Sequence, residues 1–183
     1  MKLLIATLLL SSLLVGCNEK SSETAPPSVS QLTYYEVAGL RVKLPARPQP
    51  KTIQLPAQAK DLLESMVTHE VKEGSTRISV AHVVYKIPEA NLDGSADGAI
   101  AQVKAQPGVT MFTSSKDRVV VSGLQGRSIN MTFKNSGHAI NQYGLVFVRG
   151  NELWQLQVIG GGEGNRQSLE NLKDAIFDSV EIQ

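Results

Sequence analysis

The sequence predicts an α+β domain built on an antiparallel sheet. Three observations carry that class. Residues 66–72 and 77–86 alternate apolar and polar side chains on either side of Gly74-Ser75, as a hairpin does. Further short alternating segments between residues 109 and 159 are broken by turns rich in Gly and Asn, the pattern of a meander. Residues 91–105 and 166–178 have helical spacing instead. At 183 residues, with 42% hydrophobic and 19% charged residues, the chain has the composition of a single globular domain.

The chain opens with a segment that should be removed. Lys2 gives a minimal positive start, and an apolar run extends from Leu3 to Val15. That run is short of the roughly 20 residues a spanning helix needs, and it fits a secretory leader. It ends in Leu14-Val15-Gly16-Cys17, which resembles the lipobox of bacterial lipoproteins: an aliphatic residue, a small or aliphatic one, a small one, then cysteine. The resemblance makes 1–16 the signal peptide. Leu14, Val15 and Gly16 are then the signal-peptidase recognition residues, and Cys17 is the lipidation site. Cys17 is the only cysteine in the chain, so no internal disulfide can form. One acyl chain, at about 0.8 kcal/mol per buried CH₂, anchors only marginally. The two or three chains that the resemblance implies would hold firmly. Resemblance to enteric-type lipoproteins, in which an aspartate after the cysteine signals inner-membrane retention, implies from Asn18 an outer-membrane address facing the periplasm, if the organism has an outer membrane.

Residues 17–33 are expected to be the lipidated cysteine and a flexible tether. The stretch 18–31 (NEKSSETAPPSVSQ) has too little apolar surface to offset its ordering entropy, and it reaches roughly 45–50 Å when extended. The folded domain is expected over 34–183. Residues 34–43 alternate around Gly39, which suggests a bent strand. Pro45, Pro48, Pro50 and Pro56 punctuate an extended edge segment, with a short strand expected at 52–55. Residues 57–64 suit a helical turn, which Leu62, Leu63, Met66 and Val67 would prolong at helical spacing. In the hairpin, pairing Glu73 with Thr76 puts Val67, His69, Val71, Ile78, Val80, His82 and Val84 on one face. Thr68, Glu70, Lys72, Arg77 and Ser79 take the other, and a slip of one residue would turn each side chain over.

The helix over 91–105 can be capped by Asp93 or Ser95, with Ile100 and Val103 on its apolar side. Pro107-Gly108 stops it. Strands are expected at 109–113, 118–122 and 126–134, the last with Ile129, Met131 and Phe133 on one face. Residues 140–149 are apolar on both faces, as in a central strand. Residues 153–159 should bury Trp154, Leu156 and Val158 and expose Gln155 and Gln157. A closing helix carries Leu169, Leu172, Ile176 and Phe177 in one stripe, and Val180 and Ile182 suggest a last short strand.

Gly39-Leu40-Arg41-Val42-Lys43-Leu44-Pro45, Gly123-Leu124-Gln125-Gly126-Arg127 and Ile176-Phe177-Asp178-Ser179-Val180, in this order of elements, resemble the PsbP-like fold. Photosystem II PsbP, the Ran-binding Mog family and DcrB-type bacterial lipoproteins share it. The resemblance implies a central antiparallel sheet flanked by helices, and proteins that mostly bind other proteins or assist assembly. It carries over no catalytic residues.

Charge excludes one class of partner. The chain has 18 basic against 17 acidic residues, one of the basic ones being Lys2 in the leader. A balanced chain without a basic cluster has no electrostatic footprint for nucleic acid. Three features remain. Gly160, Gly161, Gly162, Gly164 and Asn165 lie between a strand and a helix, where backbone N–H groups can hold an anion. They match neither the dinucleotide fingerprint nor the P-loop, and Glu163 would repel a phosphate. His69 and His82 are diagonal neighbours on one hairpin face and could start a zinc site, completed by His138 or a carboxylate. The alternative is two hydrogen-bonded histidines among valines or at the sheet's rim. Arg41, Lys43 and Arg47 lie among prolines on an edge that is either merely solvated or a docking edge for protein. No nucleophile elbow or paired triad appears. The expected function is a non-enzymatic, lipid-anchored envelope protein that needs no cofactor and binds an envelope protein as an accessory or assembly factor. The alternative is a small-ligand or metal-binding periplasmic module.

Overall fold

A computed structural model describes residues 25–183 apart from Pro56 and Glu163. The leader, the lipobox residues Leu14 to Cys17 and the first part of the tether lie outside the described residues. A 3-10 turn, Val29–Gln31, comes first, capped by Ser28. Ordered structure thus begins before residue 34, where the sequence suggests the folded domain starts, because the Ser28 and Gln31 side chains close a reciprocal capping box and Leu32 packs on the core.

The strands are β1 (Thr33–Val37), β2 (Leu40–Leu44), β3 (Gln49–Pro50), β4 (Leu63–Glu73), β5 (Thr76–Tyr85), β6 (Val109–Val121), β7 (Leu124–Asn135), β8 (His138–Arg149), β9 (Glu152–Gly161) and β10 (Glu181–Ile182). The helices are α1 (Ala57–Lys60), α2 (Leu92–Lys104) and α3 (Arg166–Phe177). Seven strands form one antiparallel sheet in the order β3-β4-β5-β9-β8-β7-β6, and β1-β2-β10 form a second, small one. Among the described residues no helix is long and apolar enough to cross a membrane.

The large sheet is apolar on both faces. On one, Tyr143, Leu145, Phe147, Trp154, Leu156 and Val158 meet the small sheet and Leu169, Leu172 and Ile176 of α3. On the other, Ile129, Met131, Phe133, Val146 and Leu153 meet Leu92, Ala96, Ala99 and Val103 of α2. The fold is therefore α+β but dominated by sheet. Helices cover only part of each face, and the expected helix-flanked sheet is right only in that coarser sense.

Several elements differ from the sequence reading. Residues 34–43 are two strands joined by a turn at Ala38 and Gly39 (φ 53° and 74°). The Trp154 indole N–H donates to the Ala38 carbonyl at 2.9 Å and secures that turn against the large sheet. The stretch 52–55 forms no ladder. Leu63, Met66 and Val67 lie in β4 rather than in a prolonged helix. The segments 109–113 and 118–122 are one strand, β6, whose register shifts between Thr110 and Thr113. Asn91, not Asp93 or Ser95, caps α2, accepting from the Gly94 N–H at 2.9 Å. The hairpin register, Glu73 opposite Thr76 and Val67 opposite His82, is as expected.

Candidate functional site

The order of strands decides which edges stay open. At one end of the large sheet is β3, two residues long and ending in Pro50, which has no N–H to offer a new strand. At the other end is β6, 13 residues long and paired on one side only, with β7. Its outer row of backbone N–H and C=O groups is a ready template for another strand. Met111 (73% exposed) and Val120 (75% exposed) are the most exposed large hydrophobics among the described residues. Met111 sits at the register shift with φ 51°, a conformation of low intrinsic population that the surrounding structure must impose.

This edge has firm backing. Arg127 of β7 makes two bonds to Asp93 of α2, Nε to Oδ1 and Nη2 to Oδ2, each 2.8 Å. The Lys116 ammonium donates to Asp97 at 2.5 Å and to Asp93 at 3.4 Å. The Arg127 hydrogen bond holds the Asp93 carboxyl below the usual carboxylate range. The bond to Asp97 raises the Lys116 ammonium. A bidentate guanidinium–carboxylate pair fixes orientation as well as distance, so β6 and β7 are fastened to α2.

The sequence's own docking candidate has a different place. Arg41 and Lys43 lie on β2, the middle strand of the small sheet, not on an edge. Arg41 pairs with Glu181 at 2.9 Å and covers the Tyr34 ring, as Lys43 does. Arg47 is exposed just before β3.

His69 and His82 are diagonal neighbours as expected, but each faces different company. The His82 ring stacks on Trp154 (centroids 4.6 Å apart, planes at 7°), and Trp154 stacks in turn on Phe147. His82 Nε2 lies 3.2 Å from Glu152 Oε1, an ion-pair distance without hydrogen-bond alignment. Among the described residues no three His, Cys, Asp or Glu side chains converge as metal ligands. His138, paired with Asn135 beside the β7–β8 turn, does not join the pair.

The glycine run divides. Gly160 and Gly161 are strand residues of β9, opposite Asn141 and Ile140. A Cβ on Gly160 would stand 2.8 Å from Leu169 Cδ2, so this glycine lets α3 close onto the sheet. Gly162 (φ 92°) donates its N–H to the Ala139 carbonyl. Gly164 has open space around its Cα, and Asn165 precedes α3 without a side-chain cap bond. The run is thus half ladder and half connector.

The sequence missed a row of buried uncharged polar residues. Gln155 and Gln157 are buried (9% and 2% exposed), as are Thr68 and Ser79 (6% and 4%). They line a cavity with Ile53, Met66, Ala81 and Val83. Alternation correctly put Gln155 and Gln157 opposite Trp154. It could not tell that their face is also covered.

No family model and no curated protein matches the chain. Among solved structures, it is similar to cyanobacterial PsbP (CyanoP) from Synechocystis, at 12% identity and a TM-score of 0.56, covering 93% of this chain and 99% of that one. LpqN, involved in cell envelope biogenesis of Mycobacterium tuberculosis, is similar at 13% identity and a TM-score of 0.46, covering 83% of each. The domain thus has a PsbP-like fold, as its sequence resemblance implies.

Proposed function

We propose that the chain is a non-enzymatic lipoprotein, held by lipid on Cys17 at the periplasmic side of the outer membrane, whose domain binds an envelope protein through β6. The open 13-residue edge with Met111 and Val120 uncovered carries this reading. Strand addition to such an edge gives affinity through main-chain hydrogen bonds and specificity through alternate side chains. Fastening by Asp93, Lys116 and Arg127 preorganises the edge and lowers the ordering cost of binding.

A second copy of the chain is a poor occupant. A two-fold pairing centred on Asp117 sets Asp117 against Asp117 and Lys116 against Arg118, all like charges, which destabilise when directly opposed. The expected partner instead offers an extended segment with apolar residues to meet Met111 and Val120.

A photocrosslinking residue placed at Val120 should capture one specific envelope protein in cells. The same residue at Thr52, exposed on another part of the surface, should not. Met111→Lys with Val120→Lys should abolish capture from a neighbouring β6 position while the fold stays intact by circular dichroism. Equal labelling at Val120 and Thr52, or none at Val120, would overturn the assignment.

A further inference from the structure

The cavity on the α2 side of the large sheet has the makings of a ligand site. Its floor is Thr68 of β4, Ser79 of β5 and Gln155 and Gln157 of β9, with Ser79 directly opposite Gln157. Two of its groups, Thr68 Oγ1 and Gln157 Oε1, are buried and make no hydrogen bond among the described residues. Buried polar groups are ordinarily paired, and apolar side chains of similar shape would fill this floor without that cost. None of the lining residues is charged. Beside the cavity, Glu70 pairs with Lys51 at 2.6 Å, with Arg77 at 3.3 Å and with Lys72 at 3.5 Å.

The roof is the extended stretch 51–55. Its first residue is tied down, since the Lys51 N–H donates to the Thr68 carbonyl at 2.8 Å. Beyond Lys51, no backbone hydrogen bond joins the stretch to the sheet among the described residues. It rests on side chains: Ile53 over the cavity and Leu55 against the α2 cluster. A roof held by two aliphatic side chains can lift without breaking a ladder. The cavity between the lining side chains is about 10 Å³. With the roof down, it leaves room for about one water.

We infer that Thr68, Ser79, Gln155 and Gln157 form a binding site for a small uncharged polyol or sugar, admitted when residues 52–55 of the roof lift while Lys51 stays bonded to Thr68. Carboxamides and hydroxyls supply both donors and acceptors, the set that sugar hydroxyls require. Absence of charge from the lining disfavours carboxylates, phosphates and amines, which would be desolvated without a counter-charge.

NMR titration of the full mature chain in detergent micelles, with glycerol and with D-glucose as probes, tests this. Chemical shifts are the readout because excluded polyols raise the melting temperature of proteins without binding. At least one probe should give saturable shifts at the Gln155 and Gln157 side-chain amides and at the Ile53 backbone. Thr68→Val with Gln157→Leu should weaken binding by about tenfold or more, as the loss of one or two hydrogen bonds implies. Should that variant not fold, Ser79→Ala is the substitute, with the same expectation at smaller scale. Linear, unsaturated shifts with both probes, or saturation unchanged by the substitutions, would overturn the site. Partner capture at Val120 is a separate outcome, since none of these residues belongs to β6.

Discussion

At the scale of single residues, two positions in the α3 contact carry measurable consequences. Gly160 is fixed by space: any Cβ there meets Leu169, a buried residue of α3. Overpacking of this kind costs about 1–3 kcal/mol. Gly160→Ala should therefore lower the chemical-denaturation midpoint, and the double change with Leu169→Ala should couple non-additively, because the second substitution clears the space. Additive behaviour would put the cost of the glycine elsewhere. Tyr143 is the second. Burial, and then the Glu170 carboxylate that accepts its hydroxyl at 3.3 Å, push its phenol from 10.0 up to about 12. The folded state therefore binds this proton more tightly than the unfolded chain does. The stability so gained is complete below about pH 10 and is lost as the pH rises towards 12. Tyr143→Phe should cost about 1 kcal/mol at neutral pH, as one hydrogen bond, and should flatten the decline in stability between pH 10 and 12. An equally steep decline in the variant would show that another group controls it.

At the scale of elements, what the sequence disclosed depended on how local the determining contacts were. The register of the β4–β5 hairpin was legible to the residue, though not where β4 begins, because a short turn and strict alternation leave only one register. The stripe of α3 was legible for the same reason: Leu169, Leu172 and Ile176 announce it without reference to the rest of the chain. The β1–β2 turn was not, since Ala38 takes a positive φ where the Trp154 indole, far along the chain, meets its carbonyl. Gln155 and Gln157 were misassigned because polarity at alternate positions normally marks a solvent face, and only the path of residues 51–55 shows that this one is covered. The open edge was hidden too: β6 reads like its neighbours, and its position at the end of the sheet is a property of topology. The charges at its centre carry a prediction. Lys116, Asp117 and Arg118 oppose their own kind in a two-fold pairing, so they guard the edge against other copies. Asp117→Thr with Arg118→Thr should make the purified protein self-associate at concentrations where the wild type sediments as a monomer. Lys116 is left in place because it fastens α2. Unchanged sedimentation of the variant would assign the protection to the bulge at Met111 instead.

At the scale of the whole molecule, the proposed anchor and the proposed edge depend on each other through effective concentration. The proposed lipid on Cys17, followed by residues 18–27 with a reach of roughly 33–36 Å when extended, would confine the domain to a thin layer above the membrane. Confinement can raise apparent affinity by 10²–10⁴ without any new contact, so a partner embedded in the same membrane could be held through a modest edge interface. Cys17→Ser should move the protein to the soluble periplasmic fraction and lower the crosslinking yield at Val120 by about tenfold or more. The isolated edge would be unchanged, so an unrelated outer-membrane β-barrel, fused in place of the lipid, should restore the yield. Restoration would show that the lipid acts by proximity alone. A yield unaffected by Cys17→Ser would separate the two proposals, leaving β6 with its partner and the anchor without a part in finding it.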